Sequence, residues 1–344
     1  MRYQSILCLF FLMPGWVFAQ TESVAADPDR MERRINELGR FGTNPEGGVS
    51  RVAYSDADLA GRAYIMDLMR DAGLDVRVDT AGNIIGRREG SEEGLAPIMF
   101  GSHIDSVPGG GNYDGDVGVI GAIEVAQLIK ERNLDMRHPI EVVVFTDEEG
   151  GLVGSRAMIG KMTDAALDVV SHSGLTVREG IRHVGGDPDN LEQAVIKPGD
   201  IHAFIELHIE QGAILHEEGV NIGVVEGIVG IRWWDVVIEG FANHAGTTPM
   251  NRRWDAMVSA AELTLAINRT ATTLPGRQVA TVGRIEALPG APNVIPGEVR
   301  MSLEIRDLDA IKMQQLFDLV EKEAERISER RVAPVRLQPV ERRC

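Results

Sequence analysis

Residues 140–145 read IEVVVF, an unbroken β-prone run, which predicts a strand buried on both faces. Helical and strand patterns alternate around it. A charged amphipathic helix is predicted over 27–38, and a second runs from the N-cap Ser55 to about Asp71, ended by Gly73. Strands are predicted at 74–78, 83–86 and 97–102, a helix over 115–130, and a further apolar strand over 204–209. This alternation predicts an α/β domain spanning 25–212. From about Gly212 the pattern changes. Strand 231–238, helix 253–268, strands 278–285 and 299–305, helix 309–327 and strand 332–339 give the order β-α-β-β-α-β, which is ferredoxin-like. A second, α+β domain is therefore expected over 213–340.

Composition adds limits. With 344 residues, 44% apolar and 25% charged, the chain can bury two ordinary cores. A net charge of −17 argues against a general nucleic-acid surface, so no nucleic-acid partner is expected. Arg2 followed by the apolar stretch 6–18, with Val17-Phe18-Ala19 before Gln20, reads as a secretory signal over residues 1–19. It is shorter than the ~20 residues of a membrane span. The expectation is an exported protein, periplasmic or secreted, with no membrane attachment after cleavage. The two cysteines are Cys8, inside that leader, and Cys344, so the mature chain would form no internal disulfide.

Four polar clusters sit in or beside predicted strands, where open α/β sheets place their sites. In GSHID, His103 can bind a metal while Asp105 accepts a hydrogen bond from its other ring nitrogen. In GGGNYDG, Asp114 has two oxygens that could bridge two cations, and the spacing is not that of a phosphate loop. In DEEG, one of Glu148 and Glu149 can ligate while its neighbour moves a proton. In ELHIEQG, His208 is a candidate ligand, and Glu210 or Gln211 can contact substrate or hold a ligand; Gln211 is the candidate substrate contact. Each cluster alone also fits a bland reading: a structural histidine, an acidic turn, a solvated strand face. Together they are oxygen and nitrogen donors of the kind that suit zinc, manganese or cobalt.

In this order the clusters resemble the M20 family of metallohydrolases, in particular its amidase/hydantoinase/carbamoylase branch. The phrases GSHIDSVPGGGNYDG, FTDEEG, GSRAM, ELHIEQG, NHAGTTPM and APNVIPGEV carry the resemblance, from about Asp29 onward. It implies a zinc-peptidase-like catalytic α/β domain with an inserted ferredoxin-like lid that forms a homodimer. His103, Asp114 and His208 would hold one divalent ion. Asp114 and Glu149 would hold a second. Glu148 would be general base and acid, with Asp105 orienting His103. His244 would stabilise the oxyanion in the partner subunit's site, and Asn293 and Arg306 would hold a substrate carboxylate. The implied reaction is hydrolysis of a linear ureido or amide bond, such as that of an N-carbamoyl-L-amino acid.

One element of the family pattern is missing. The family places a further histidine ligand in a Gly-His-Asp-like context near its C-terminus, and no histidine follows His244. The expectation is an incomplete second metal site. An M20 aminoacylase or peptidase and a truncated non-catalytic remnant are the rival readings.

Overall fold

The structure is a computed structural model that describes residues 24–340, so the predicted signal over 1–19 lies outside the described residues. Among those described, no helix is long and apolar enough to cross a membrane. The chain divides into two compact units, one ending at Gln211 and one beginning at Gly212.

In the first unit, α1 (Pro28–Leu38) starts at Asp27, whose side chain accepts from the Arg30 amide, and α2 (Asp56–Asp71) starts at Ser55, which accepts from Asp58. Each cap satisfies an amide that the helix leaves unpaired. Then come β1 (Asp75–Val78), β2 (Ile84–Arg88), β3 (Ile98–His103), α3 (Asp116–Glu131) and β4 (Ile140–Phe145). The short helices α4 (Glu148–Gly151), α5 (Val153–Met158), α6 (Asp164–Leu167) and α7 (Val177–His183) lead to β5 (Ala203–Ile205). None of these four exceeds seven residues, too few to show a helical period in sequence. The sheet order is β1-β2-β4-β3-β5, with β3 parallel to both β4 and β5. The predicted strand at 140–145 is central, and residues 140–144 are all buried. Ile84, Ile120, Ile123, Val142 and Val144 pack there with Ile65 and Met69 of α2.

The strand expected over 204–209 is a correction. It ends at Ile205, because β5 pairs only with residues 98–100 of β3, at an edge of the sheet. Glu206, His208 and Glu210 therefore do not share a strand face. Phe204 and Ile205 are 46% and 60% exposed, so β5 is not a core strand among the described residues.

The second unit contains α8 (Ile214–Glu218), β6 (Gly230–Glu239), β7 (Asn243–His244), α9 (Ala256–Thr273), β8 (Val279–Thr281), β9 (Ile285–Leu288), β10 (Val294–Ile295), β11 (Glu298–Asp307), α10 (Ala310–Arg331) and β12 (Val335–Pro339). Its main sheet runs β12-β6-β11-β8, with β9 also on β11 and every pairing antiparallel. This is the ferredoxin-like order, with one difference from the sequence reading. The strand expected at 278–285 is two strands, since at 282–284 the ladder gives way to a bond from the Arg284 amide to the Ser302 hydroxyl. Val299, Met301, Leu303 and Ile305 alternate along β11 and bury against Leu263 and Ile267 of α9 and Leu316 and Val320 of α10.

Candidate metal centre and active site

Two turns bring the first-unit clusters together. β3 ends at His103, which is 3% exposed. Its Nδ1 lies 3.0 Å from the main-chain oxygen of Asp105, a bond only an Nδ1–H can make to a carbonyl. The lone pair is then on Nε2. The chain next passes through Asp114 and Gly115 into α3. Gly115 has φ +68°, and a Cβ there would lie 2.5 Å from His103 Nε2, so glycine is what lets Asp114 turn in beside that nitrogen.

His208 follows β5 on an exposed segment. Its Nδ1 lies 2.9 Å from the Ile209 carbonyl, which again leaves Nε2 free, and Nε2 stands 3.2 Å from Asp114 Oδ1. One ligand atom each from His103, Asp114 and His208 lie within 4.8 Å of one another. Two imidazole lone pairs and a carboxylate at this spacing are a donor set that fits a divalent cation such as zinc.

Other predicted residues take unexpected positions. Gln211 lays its side-chain nitrogen 2.9 and 2.8 Å from the two oxygens of Asp114. Of the two roles open for it, this is the ligand-holding one, and each carboxylate oxygen keeps a further lone pair. Asp105 reaches His103 through its carbonyl; its carboxylate Oδ1 is 3.7 Å from Nδ1. That carboxylate instead accepts the amides of Glu148 and Glu149, at 3.2 and 3.0 Å. Asp147 makes this possible by adopting φ +49°, a left-handed conformation uncommon outside glycine, as the chain turns from β4 into α4.

Glu148 Oε2 lies 3.7 Å from His103 Nε2. Burial pushes the Glu148 carboxyl above the usual carboxylate range, the nearby His103 opposes this, and the negative charges of Asp105 and Glu206 add to it. Glu149 is also raised, by burial first and then by the charges of Asp114, Glu148 and Asp105, with His103 opposing. Glu149 stands outside the three-ligand cluster. Burial alone would lower His103, but the charges of Asp105 and Glu148 outweigh it and leave the imidazole raised. Sequence reasoning missed two supporting contacts. Buried Ser102 donates to Glu206 at 2.5 Å, and Arg51 lies beneath the whole turn.

In the second unit, His244 lies on β7 opposite Val294 of β10, next to Asn293, whose carbonyl accepts from Ala245. His244 Nδ1 accepts the amides of Gly246 and Thr247, at 3.1 and 3.2 Å, so its ring proton is on Nε2. Arg253, which the sequence did not single out, ties this loop by bonds to the carbonyls of Ala245 and Thr248. Arg306 is forked on Glu304 of the same strand, at 2.6 and 3.1 Å.

The sequence profile of peptidase family M20/M25/M40 matches residues 99–336, more than half the chain. An N-carbamoyl-L-amino acid amidohydrolase of Geobacillus stearothermophilus is 42% identical over 308 residues, covering 88% of this chain and 75% of that relative. A ureidoglycolate hydrolase of Arabidopsis thaliana is 37% identical over 321 residues, covering 90% of this chain and 67% of its own length. The crystal structure of a hydantoinase/carbamoylase family amidase from Burkholderia ambifaria superposes with a TM-score of 0.83 at 32% identity, covering 92% of this chain and 79% of that one. Fold and relatives together define a hydrolase of carbon–nitrogen bonds other than peptide bonds. The chain belongs to peptidase family M20/M25/M40, a family typically dependent on divalent metals.

Proposed function

We propose that this chain hydrolyses a linear ureido or amide bond in a small acid, with N-carbamoyl-L-amino acids as the first class to test. The observation that carries this is the His103–Asp114–His208 cluster with Glu148 against its edge. His103, Asp114 and His208 would hold one divalent ion, zinc, manganese or cobalt, and Asp114 with Glu149 would hold a second. When bound, such ions supply Lewis acidity and make water easier to deprotonate.

The residues of this chain do the rest. Glu148 takes the proton of the attacking water and returns it to the leaving nitrogen, and its raised pKa suits both halves of that transfer. Asp105 holds the amides of Glu148 and Glu149 and so fixes where the carboxylate of Glu148 starts. His244, with its proton on Nε2, would offer a donor, in the partner subunit's site, to the oxygen that becomes negative in the tetrahedral intermediate. Loss of the carbamoyl group as carbamate would give ammonia, carbon dioxide and an amine.

The lid geometry supports a homodimer. Asn293 and His244 lie by the strands that lead into the start of β11, whereas Arg306 is eight residues, about 26 Å, beyond Glu298. One copy therefore does not bring all three to one small substrate, while two copies could each supply one end. The apolar leader at 6–18 supports export to the periplasm or beyond.

Ammonia release from N-carbamoyl amino acids, ureidopropionate and allantoate, with added zinc or manganese, tests the reaction. Release from one of these and none from dipeptides is the expected result. Cleavage of dipeptides or N-acyl amino acids alone would move the chain to the peptidase or acylase reading. No turnover, with less than one metal ion per chain, would favour a non-catalytic remnant. Sedimentation and cell fractionation test the dimer and the export.

A further inference from the structure

Arg51 precedes every cluster described above and belongs to none of them. Its side chain is 1% exposed, and all five of its N–H donors have acceptors. Nε bonds the Ile104 carbonyl at 2.7 Å. Nη1 bonds the carbonyls of Leu38 and Phe41 at 2.8 and 3.1 Å. Nη2 bonds both oxygens of Asp116 at 2.8 and 2.6 Å. The Arg51 amide also donates to the Ser106 hydroxyl, and its carbonyl accepts from the Ser106 amide, each at 3.0 Å. A Cβ at Gly61 of α2 would lie 2.8 Å from Arg51 Cδ, so the glycine is what lets the stem pack directly against that helix.

These contacts fall on the chain in a telling way. Ile104 is the residue between His103 and Asp105. Asp116 is two residues past Asp114 and is the first residue of α3. Leu38 ends α1 and gives an anchor outside both loops. One rigid fork thus spans the loop that carries His103 and the helix start that carries Asp114.

We propose that Arg51 is the positioning residue of the metal centre, setting the spacing between His103 and Asp114. The proposal rests on the metal-centre reading given above. Arginine is required by geometry. A lysine ammonium has three donors around one point, and these do not reach carbonyls and a carboxylate lying on different sides. Asp116 supplies the countercharge that a buried guanidinium needs, so simple truncation of Arg51 would leave an unpaired buried carboxylate and risk unfolding. For that reason the substitution at Arg51 keeps the charge, and the one at Asp116 keeps a side-chain oxygen to accept from the guanidinium.

The experiment compares the full chain with Arg51→Lys and Asp116→Asn. Zinc and manganese dissociation constants are measured by competition with a chromophoric chelator, and amide hydrogen exchange is followed alongside. For Arg51→Lys the expected result is metal binding weaker by about 10–100-fold. Exchange should accelerate at 103–106 and 113–118 while 140–144 stay protected. Asp116→Asn leaves the three carbonyl bonds of Arg51 in place, so exchange should accelerate only at 113–118, with a smaller loss of affinity. Unchanged affinity in Arg51→Lys, with exchange rising uniformly or not at all, overturns the proposal. If Arg51→Lys does not fold, Asp116→Asn decides alone: no local change at 113–118 overturns it. If the parent chain binds neither metal, the metal-centre reading fails, and the exchange pattern still decides the positioning role.

Discussion

His103 and His208 offer the same ring nitrogen to the same cluster from opposite surroundings. His103 ends a strand paired with β4 along its whole length, is nearly inaccessible, and sits against Gly115, one residue before the carbonyl that Arg51 holds. His208 follows a three-residue edge strand, its side chain is 30% exposed, and its orienting bond goes to the adjacent residue. Phe204, Ile205 and Leu207 beside it are exposed as well. Identical ligand chemistry is thus preorganised by packing in one half of the centre and by local chain geometry in the other.

The largest effect expected concerns Glu148, whose turn hangs on buried Asp105. Glu148→Gln should lower kcat for ureido-acid hydrolysis by about 10²–10⁴ while metal affinity stays within a few-fold. An undiminished kcat at saturating metal would take the proton-transfer role away from the buried half. Core packing gives the next contrast. Ile84→Ala should cost about 2–5 kcal/mol in urea unfolding, whereas Ile205→Ala on the edge strand should stay within about 0.5 kcal/mol. Equal losses would mean that the edge is packed in solution.

The two histidines test the comparison directly. His103→Ala and His208→Ala should each weaken zinc or manganese binding by about 100-fold, or about 2.7 kcal/mol. Only His103→Ala should also lower unfolding free energy, by about 1–3 kcal/mol, because only that side chain is buried. If both variants melt like the parent, the asymmetry is not energetic.

The smallest effect is a pH slope. Asp58, beneath the buried half, is pushed up to about 6 by burial, against the pull of Arg62. A folded-state pKa above the unfolded one means that the native protein holds the proton more tightly. Stability from this group is therefore present at low pH and lost as pH rises from about 4 to about 6. Asp58→Asn should remove this slope from unfolding curves measured between pH 4 and 7; an unaltered slope would show that Asp58 titrates normally.

Much of this was legible in the chain. The IEVVVF run, the helix over 27–38, the cap at Ser55, and the β-α-β-β-α-β order correspond to observed elements within a few residues, because each rests on local period or capping. The motifs named His103, Asp114 and His208, which the fold gathers into one cluster. The strand extended to residue 209 failed because, among the described residues, an apolar alternation has no strand partner past Ile205. Arg306, which only the family resemblance marked as a substrate contact, is forked on Glu304 of its own strand, a pairing that no local pattern announces. Arg51 and Arg253 gave no signal, since an arginine in a loop looks the same whether it is solvated or holds main-chain carbonyls.

The sequence by itself determined the elements, the family and the donor types, because periodicity, capping and ligand chemistry are properties of short stretches of chain. The tertiary structure decided which nitrogen each histidine presents, that the Asp105 carboxylate serves the Glu148–Glu149 amides, and that one guanidinium sets the spacing of two loops. The last two outcomes depend on hydrogen bonds between residues tens of positions apart, and the first on the local turns that the fold imposes at 103–105 and 208–209. Their distances and angles exist only once the core has closed around them.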